Sequence, residues 1–223
     1  MNVSKRITTI VNEIKFKTLA DIGTDHGYIP IYACKISKID TAIACDINEA
    51  PLLNAKSNIF SHNIEMYIQT RLGSGLTPLK KGEAQTCSIA GMGGDLILNI
   101  LEDSIDITQS FSQLILQPQS KIDKVRKYIH DIGFRIVNEN LINEHSKYYT
   151  TISCIKGQEE KYTAIEYALG KILIEKKEPD FINYVQKEKN KLELILSSID
   201  ENDTNIEKIK ELNMYLDICK EVL

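Results

Sequence analysis

Short apolar runs alternate with amphipathic stretches from the start of the chain to Gly133. Each run is rich in Ile, Leu, Thr and Ala and stops at Gly, Pro, Asp or Asn, which is typical of buried strands. The predicted strands are 18–23, 41–47, 66–72, 85–91 and 113–118. Helical spacing of the apolar residues predicts helices over 4–15, 29–37, 50–63, 93–103 and 120–131. This alternation predicts an α/β fold, with a parallel sheet covered by helices on both faces.

The pattern changes after Gly133, where residues 134–157 predict two long strands joined at about 144–147. No helix separates these strands, so they form an antiparallel hairpin at the edge of the sheet. Seven strands with a final hairpin distinguish the methyltransferase form of the doubly wound fold from the form that binds NAD. The element order therefore predicts a seven-stranded, Rossmann-like methyltransferase sheet over residues 1–157.

The remaining residues, 158–223, show no strand pattern. Apolar residues recur there every three or four positions, and the rhythm resumes after a polar stretch. Thr204 and Glu207 have the spacing of a capping box that restarts the helix. We therefore predict a second domain, an antiparallel, coiled-coil-like α-helical hairpin. It could serve as a stabilising appendage, as a dimer element or as a clamp for a large substrate.

The turn after the first predicted strand, within TLADIGTDHGYIP (18–30), carries the most chemistry. Gly23 and Gly27 allow a ligand to approach the main chain closely, as in nucleotide-binding turns. Asp21 ends the strand and Asp46 ends the next one, where a carboxylate can accept hydrogen bonds from both hydroxyls of a ribose. A pyrophosphate would be repelled by Asp25 beside the helix N-terminus. The turn therefore favours a zwitterionic or cationic donor, S-adenosylmethionine, over NAD.

Two further glycine-rich loops follow the third and fourth predicted strands. Ser74 in RLGSGL stands where methyltransferases often carry an acidic contact to the donor's adenine, so a hydroxyl or a backbone group is expected instead. IAGMGGDLI (89–97) should form a flat rim on which a planar base can approach the methyl donor. The residues assigned to this rim are Ala90 and Gly91 on the donor side, and Met92 and Gly93 on the substrate side.

Charge and cysteine content narrow the class of protein. The net charge is −4, but residues 1–157 hold 17 basic and 16 acidic side chains, so the acidity is concentrated in the C-terminal part. A local basic patch on the first domain therefore remains possible. The five cysteines have neither disulfide nor zinc spacing. We therefore expect no bound metal. The sequence also lacks the apolar core of a signal peptide and an apolar run long enough to span a membrane, so we expect a cytoplasmic protein.

DIGTDHGYIP, the AGMGG loop, the LILQP segment and GFRIVNENLINEHSKYY together resemble the bacterial tRNA adenine-22 N1-methyltransferase family. The likeness covers roughly residues 1–157, and the helical hairpin agrees in kind. The resemblance implies an enzyme that uses S-adenosylmethionine to methylate N1 of an adenosine in tRNA. The family often has Gly-Asp-Gly where this chain has Gly73-Ser74-Gly75. We expect a monomer or a weak homodimer.

Adenine N1 carries a lone pair, so the enzyme's task is positioning and charge complementarity. We predict that Asp25 accepts a hydrogen bond from the exocyclic amine of the target base, while His26 contacts the donor or the substrate. One of two adjacent tyrosines, assigned as Tyr148, could stack on a base. The other predicted substrate contacts are Tyr28, Gln117 and Pro118, with Lys5, Arg6, Lys121, Lys124, Arg126 and Lys127 as candidate phosphate contacts.

Two other classes of function share parts of this pattern. A small-molecule methyltransferase, or one that acts on another RNA, would keep the donor site. A non-catalytic tRNA-binding module would keep the fold and leave the base unmodified. Methyl transfer to tRNA separates these classes.

Overall fold

The computed structural model describes residues 3–199 and 206–223. The chain divides into two compact units, Met1–Tyr162 and Thr163–Leu223. The predicted boundary between residues 157 and 158 lies slightly before this division. The predicted capping box begins at Thr204, which lies outside the described residues.

The first unit is built on a seven-stranded sheet with the order β3-β2-β1-β4-β5-β7-β6. Strands β1 to β5 pair in parallel, while β7 is antiparallel to both β5 and β6. This arrangement confirms the predicted fold class. The strands are β1 Thr18–Ile22, β2 Thr41–Asp46, β3 Ile68–Leu72, β4 Thr86–Met92, β5 Gln113–Pro118, β6 Phe134–Glu144 and β7 Lys147–Lys156.

One helix precedes β1, and helices connect the parallel strands except β3 and β4, which a loop joins. They are α1 Lys5–Glu13, α2 Tyr28–Lys35, α3 Glu49–Ser61, α4 Gly94–Asp103, the short α5 Ile105–Thr108 and α6 Ile122–Asp131. The sequence pattern did not predict α5. The sequence Ser120-Lys-Ile-Asp123 predicts an approximate capping box at the start of α6, and this prediction is wrong. The N-cap is Lys121, and the Ser120 hydroxyl instead accepts a hydrogen bond from the backbone N–H of Gly94 at 3.3 Å.

The β6–β7 hairpin turns at His145 and Ser146, whose φ angles are 52° and 64°. Two consecutive left-handed residues form the type I′ geometry that matches the twist of a hairpin. The turn therefore falls within the predicted segment 144–147. It fixes the register in which Glu144 pairs with Lys147.

Buried aliphatic residues from α1, α2 and the central strands form one core cluster, which includes Ile10, Val11, Leu19, Ile31 and Ile115. The amphipathic helix α1 thus packs its apolar face into the main core. This packing holds α1 beside the sheet. It also gives Arg6, on the first turn of α1, a defined position.

The second unit is helical over its described residues. It contains a π-helical turn, Glu166–Gly170, followed by α7 Lys171–Lys176, α8 Pro179–Ser198 and α9 Ile206–Val222. Helices α8 and α9 pack together, and Lys177 Nζ donates to the carbonyl of Val222 at 3.1 Å. Because this bond joins the start of α8 to the end of α9, the pair is antiparallel. No described helix is long and apolar enough to cross a membrane.

Candidate active site

Two adjoining cavities open where the parallel strands end, with volumes of about 490 and 250 Å³. The carboxyl edge of a parallel sheet is where ligands bind in doubly wound folds. The larger cavity is bordered by the loops after β2 and β3 and by the end of β4, and the smaller one by α1 and the β1–α2 turn. The residues that line both cavities are Arg6, Gly23, Asp25 and Ala90.

Asp46 places a carboxylate on the wall of the larger cavity. Its Oδ1 accepts a hydrogen bond of 2.8 Å from the backbone N–H of Asn48. The backbone N–H of Gly73 donates to the Asp46 carbonyl at 2.9 Å, which joins the loops after β2 and β3. The other carboxylate oxygen has no hydrogen-bond partner among the described residues, so it can accept from a ligand hydroxyl.

Ser74 lines the same cavity. The Thr77 hydroxyl donates to the carbonyl of Ser74 at 2.7 Å, which fixes the loop through its backbone. The Ser74 side chain is exposed and can face a ligand. Apolar side chains of Ile47, Leu96 and Ile100 complete the wall.

Asp21 lies at the bottom of the smaller cavity and is 3% exposed. Its Oδ1 accepts a hydrogen bond of 2.6 Å from the Ser88 hydroxyl. Burial raises the pKa of the Asp21 carboxyl from 3.8 to about 6, against the opposing effect of the hydrogen bond from Ser88. The Thr24 hydroxyl also lines this cavity and is buried without a hydrogen-bond partner. A buried hydroxyl of this kind is normally satisfied, and a polar ligand group would satisfy it.

The raised pKa predicts a pH-dependent penalty on folding. The folded state disfavours the ionised form of Asp21, so the penalty is absent below about pH 4, grows through pH 6 and is complete above it. We expect Asp21→Asn to raise the free energy of unfolding at pH 8 by up to about 3 kcal/mol. The gain should vanish near pH 4. Urea unfolding of both proteins across this range checks it, and an equal gain at both ends would contradict the ionisation argument.

Glycine is required by the backbone at both ends of the β1–α2 turn. Gly23 has φ +75°, and the terminal methyl of Met92 occupies the space that a Cβ at Gly23 would need. Gly27 has φ +70°, and a Cβ there would lie 3.4 Å from that of Ala55. Both conformations are costly for other residues. The β1–α2 turn therefore packs closely against α3 and β4. The polar side chains of the turn line the cavities.

Asp25, His26 and Tyr28 form a polar and aromatic group beside this turn. His26 Nε2 lies 3.3 Å from Asp25 Oδ2. The His26 and Tyr28 rings are stacked, with centroids 5.2 Å apart and planes at 24°. Asn58 on α3 donates to the His26 carbonyl at 3.0 Å, which holds the turn in place. The Asp25 side chain is 72% exposed, so its carboxylate is open to a bound substrate.

Arg6 lies where the two cavities meet, and its position is set by two contacts. Its guanidinium carbon is 4.2 Å from the centre of the Tyr149 ring, and Nε donates to Gln117 Oε1 at 2.9 Å. The Gln117 amide nitrogen in turn donates to the Thr151 hydroxyl at 3.0 Å. The side chain of Gln117 is therefore a support for Arg6.

A methyltransferase domain model matches residues 3–152. The curated tRNA (adenine(22)-N(1))-methyltransferase of Bacillus subtilis is 32% identical over all of this chain and 98% of its own length. The chain belongs to the tRNA (adenine(22)-N(1))-methyltransferase family. The crystal structure of the B. subtilis M1A22 tRNA methyltransferase TrmK covers 99% of this chain and 98% of its own, with 32% identity and a TM-score of 0.90. M. capricolum TrmK, solved with the cofactor product S-adenosylhomocysteine, covers 98% and 96%, with 28% identity and a TM-score of 0.86.

Most residues predicted for the site of this methyltransferase lie at the cavities. Those on the larger cavity are Asp46, Ser74, Gly91 and Met92; those on the smaller one are Asp21, Gly27, His26 and Tyr28; Gly23, Asp25, Ala90 and Arg6 line both. Gly93, Gln117, Pro118 and Lys5 are not among the lining residues of either cavity, and Gln117 is buried. Gly93 instead begins α4 as its N-cap, and Pro118 is buried at the end of β5.

Two predicted substrate contacts of this methyltransferase are not among the residues that line the cavities. The tyrosine that contacts Arg6 is Tyr149, and Tyr148 faces the other side of β7, because neighbouring residues of a strand face opposite sides. Stacking of Tyr148 on a base stays a prediction. Arg126 is 1% exposed and its Nε donates to Glu139 Oε1 at 2.7 Å, with Glu139 fully buried. The predicted contact of Arg126 with phosphate is wrong, because its side chain is buried and paired with Glu139 and is not open to solvent.

Sequence reasoning missed Thr24, Asn48 and Gln119, which all line the cavities of this methyltransferase. Each lies one or two positions from a residue that was predicted to line the site. Closeness to the end of a strand could therefore have identified them from the sequence. Over the described parts of the chain, no group of His, Cys, Asp and Glu side chains could hold a metal ion.

Proposed function

We propose that this protein transfers the methyl group of S-adenosylmethionine to N1 of adenosine 22 in tRNA. The observation that carries the proposal is the pair of adjoining cavities. Together they offer a binding site for the donor and a path by which a base can reach it. They meet at Asp25, Gly23 and Ala90. The full-length likeness to the B. subtilis enzyme supplies the substrate.

The residues of the cavities fit a donor of this kind. The free carboxylate oxygen of Asp46 would accept from a ribose hydroxyl, and the apolar wall with Ser74 would receive the adenine. The buried Thr24 hydroxyl and the Asp21 carboxylate would hold the amino-acid end. Carboxylates at Asp21, Asp25 and Asp46 favour a cationic donor over a diphosphate. We therefore place the adenosine end in the larger cavity and the amino-acid end toward the smaller one.

When bound, S-adenosylmethionine supplies a methyl group on a sulfonium, and the electron pair of the broken carbon–sulfur bond stays on sulfur. Neutral adenine has no proton on N1, so no general base has to remove one. The exposed Asp25 carboxylate would accept a hydrogen bond from the N6 amine and orient the ring. Its negative charge would also stabilise the positive charge that the ring gains.

A base in folded tRNA has to leave its stack to reach this site. The stacked rings of His26 and Tyr28 would offer it an aromatic surface. Exposed Lys5, Lys124 and Lys127 would contact phosphates, whereas Lys121 is already paired with Asp95. We also expect the enzyme to act in the cytoplasm, as a monomer or a weak homodimer.

Methyl transfer to defined transcripts tests the proposal. Unmodified tRNA with A22, and the same tRNA with G22, are incubated with donor carrying a labelled methyl group. We expect label to approach one methyl per tRNA on the A22 transcript alone, recovered as 1-methyladenosine after digestion. Equal label on both transcripts would contradict the assigned base. Binding of tRNA without any label would instead indicate a non-catalytic module.

A further inference from the structure

Strand β3 forms one edge of the sheet, and alternate main-chain groups of this strand point away from β2. The parallel register pairs Ala42 of β2 with Ile68, and the Ala42 N–H donates to the carbonyl of the preceding Tyr67 at 2.8 Å. In such a ladder the two neighbours of the register partner form the hydrogen bonds. The N–H and C=O groups of Ile68, Thr70 and Leu72 therefore point outward. Those of Thr70 and Leu72 have no hydrogen-bond partner among the described residues.

Strand β3 also lacks the features that commonly protect an edge strand from pairing with another strand, namely a bulge, a proline or an unpaired charge. The opposite edge strand, β6, has a register irregularity between Ile136 and Asn138, and Glu159 accepts a hydrogen bond from the Ile136 N–H. The register of β3 is continuous, and its charged side chain, Arg71, forms an ion pair of 2.6 Å with Glu83. Over the described residues of β3, the edge is therefore open and neutral.

Exposed apolar side chains border this edge. Leu72, at the end of β3, and Leu53 and Phe60 on α3 are each more than half exposed. The helical repeat places Leu53 and Phe60 on one flank of α3, and Asn58 about 150° around the helix from them. Asn58 lies on the side of β1, because it donates a hydrogen bond to the His26 carbonyl. Since β2 lies between β1 and β3, the flank with Leu53 and Phe60 is on the side of the free edge.

The partner that fits this edge is a second copy of the same edge. A two-fold axis at Thr70 places the two Thr70 residues opposite each other and Ile68 opposite Leu72. Each of these pairs brings outward main-chain groups face to face, so the two strands can exchange hydrogen bonds along their length. Gln69 then faces Arg71, and no like charges are opposed. An axis at Arg71 would oppose two like charges, and an axis at Gln69 would leave Leu72 without a partner in β3.

We propose that β3 and α3 form a two-fold symmetric interface between two copies of this chain, which joins their seven-stranded sheets into one. The α3 helices of the two copies then lie side by side and cover Leu53 and Phe60. Tyr67 of one copy lies beside Gly73 of the other, next to the loop through which Ser74 lines the larger cavity. The second copy therefore borders the donor site. The interface does not depend on the methyl-transfer activity.

Sedimentation equilibrium of the full chain measures this interface. We expect the mass to approach twice 25.3 kDa at high protein concentration and to fall toward that of one chain on about hundredfold dilution. Thr70→Pro should raise the dissociation constant of the dimer at least about tenfold, because the two outward N–H groups at the axis are lost. It removes no hydrogen bond to β2, and proline is tolerated at such edge positions.

Leu72→Lys is a second, unlike substitution at the same edge, so a folding defect of the proline variant alone does not decide the result. It should also raise the dissociation constant at least about tenfold, because it places a charge where an apolar pair is expected. Leu194→Lys is the matched control, since Leu194 is an exposed leucine of α8. It should leave the dissociation constant unchanged.

A cysteine at the two-fold axis tests the register. Thr70→Cys places two thiols on residues whose Cα atoms would lie about 5.5 Å apart, within the range of a disulfide. Mild oxidation should give a covalent dimer of Thr70→Cys, and far less of Gln69→Cys or of the wild type with its five native cysteines. Cross-linking through Gln69→Cys instead, or a dimer that neither β3 variant weakens, would overturn the interface. A chain that stays monomeric at every concentration would also overturn it and leave the edge to a strand of another protein.

Discussion

Replacing Asp25 by alanine is expected to lower the rate of methyl transfer by about a hundredfold or more, because the group that stabilises the developing ring charge is lost. The Kd of the donor should change by no more than about threefold, since the carboxylate is exposed and is proposed to bind the target base rather than the donor. Asp25→Asn retains an acceptor oxygen but not the charge. The rate of methyl transfer by Asp25→Asn should therefore lie between the rates of the wild type and the alanine variant.

Single-turnover rates with tRNA, and calorimetry with S-adenosylhomocysteine, measure the two effects separately. Asp40→Ala is a suitable control, since this exposed carboxylate precedes β2 at the opposite edge of the sheet. It removes the same charge without touching either cavity. A wild-type rate in Asp25→Ala, or a loss confined to donor binding, would remove Asp25 from the catalytic role.

Replacing Asp46 by alanine is expected to weaken donor binding by about a hundredfold, because hydrogen bonds to a charged acceptor contribute about 1.5–3 kcal/mol each. The loop after β2 should also lose the bond that Asn48 donates to this carboxylate at 2.8 Å. At saturating donor the rate of transfer should recover most of its wild-type value, because Asp46 is proposed to bind the ribose of the donor and not the target base.

The donor's KM and Kd, measured beside the maximal rate, check this separation. Ser74→Ala is the comparison within the same cavity and should change Kd by no more than about threefold, because a neutral hydroxyl contributes less than a carboxylate. A maximal rate that falls as far as the affinity would show that Asp46 acts on the reaction itself. An unchanged Kd would exclude its assigned contact with the donor.

The parallel part of the sheet could be predicted because its strands are short and bounded by residues that end them, and all but β3 are largely buried. The final hairpin was equally visible, since Glu144 to Lys147 interrupts two long apolar runs. Gly23 and Gly27 could be recognised from their spacing, and both adopt positive φ angles. The donor side of the site follows from these features, because strand ends in a parallel sheet converge on one edge.

Residues whose role depends on contacts between distant elements were harder to assign. Arg126 follows Ile122 by four positions and precedes Ile129 by three, so it lies on the buried face of α6. That spacing was a usable signal, but its partner Glu139 could not be read from the helix alone. The contact between Arg6 and Tyr149 could not be predicted from the sequence, because it depends on where α1 lies against β7.

The central claim is that the donor bridges the two cavities with its sulfonium at their junction. A crystal structure of this protein with S-adenosylmethionine tests it most directly. We predict the ribose at Asp46, the amino-acid end toward Asp21 and Thr24, and the sulfonium methyl between Asp25 and Gly91. A donor bound in the reverse orientation, or with its methyl facing away from Asp25, would contradict the account.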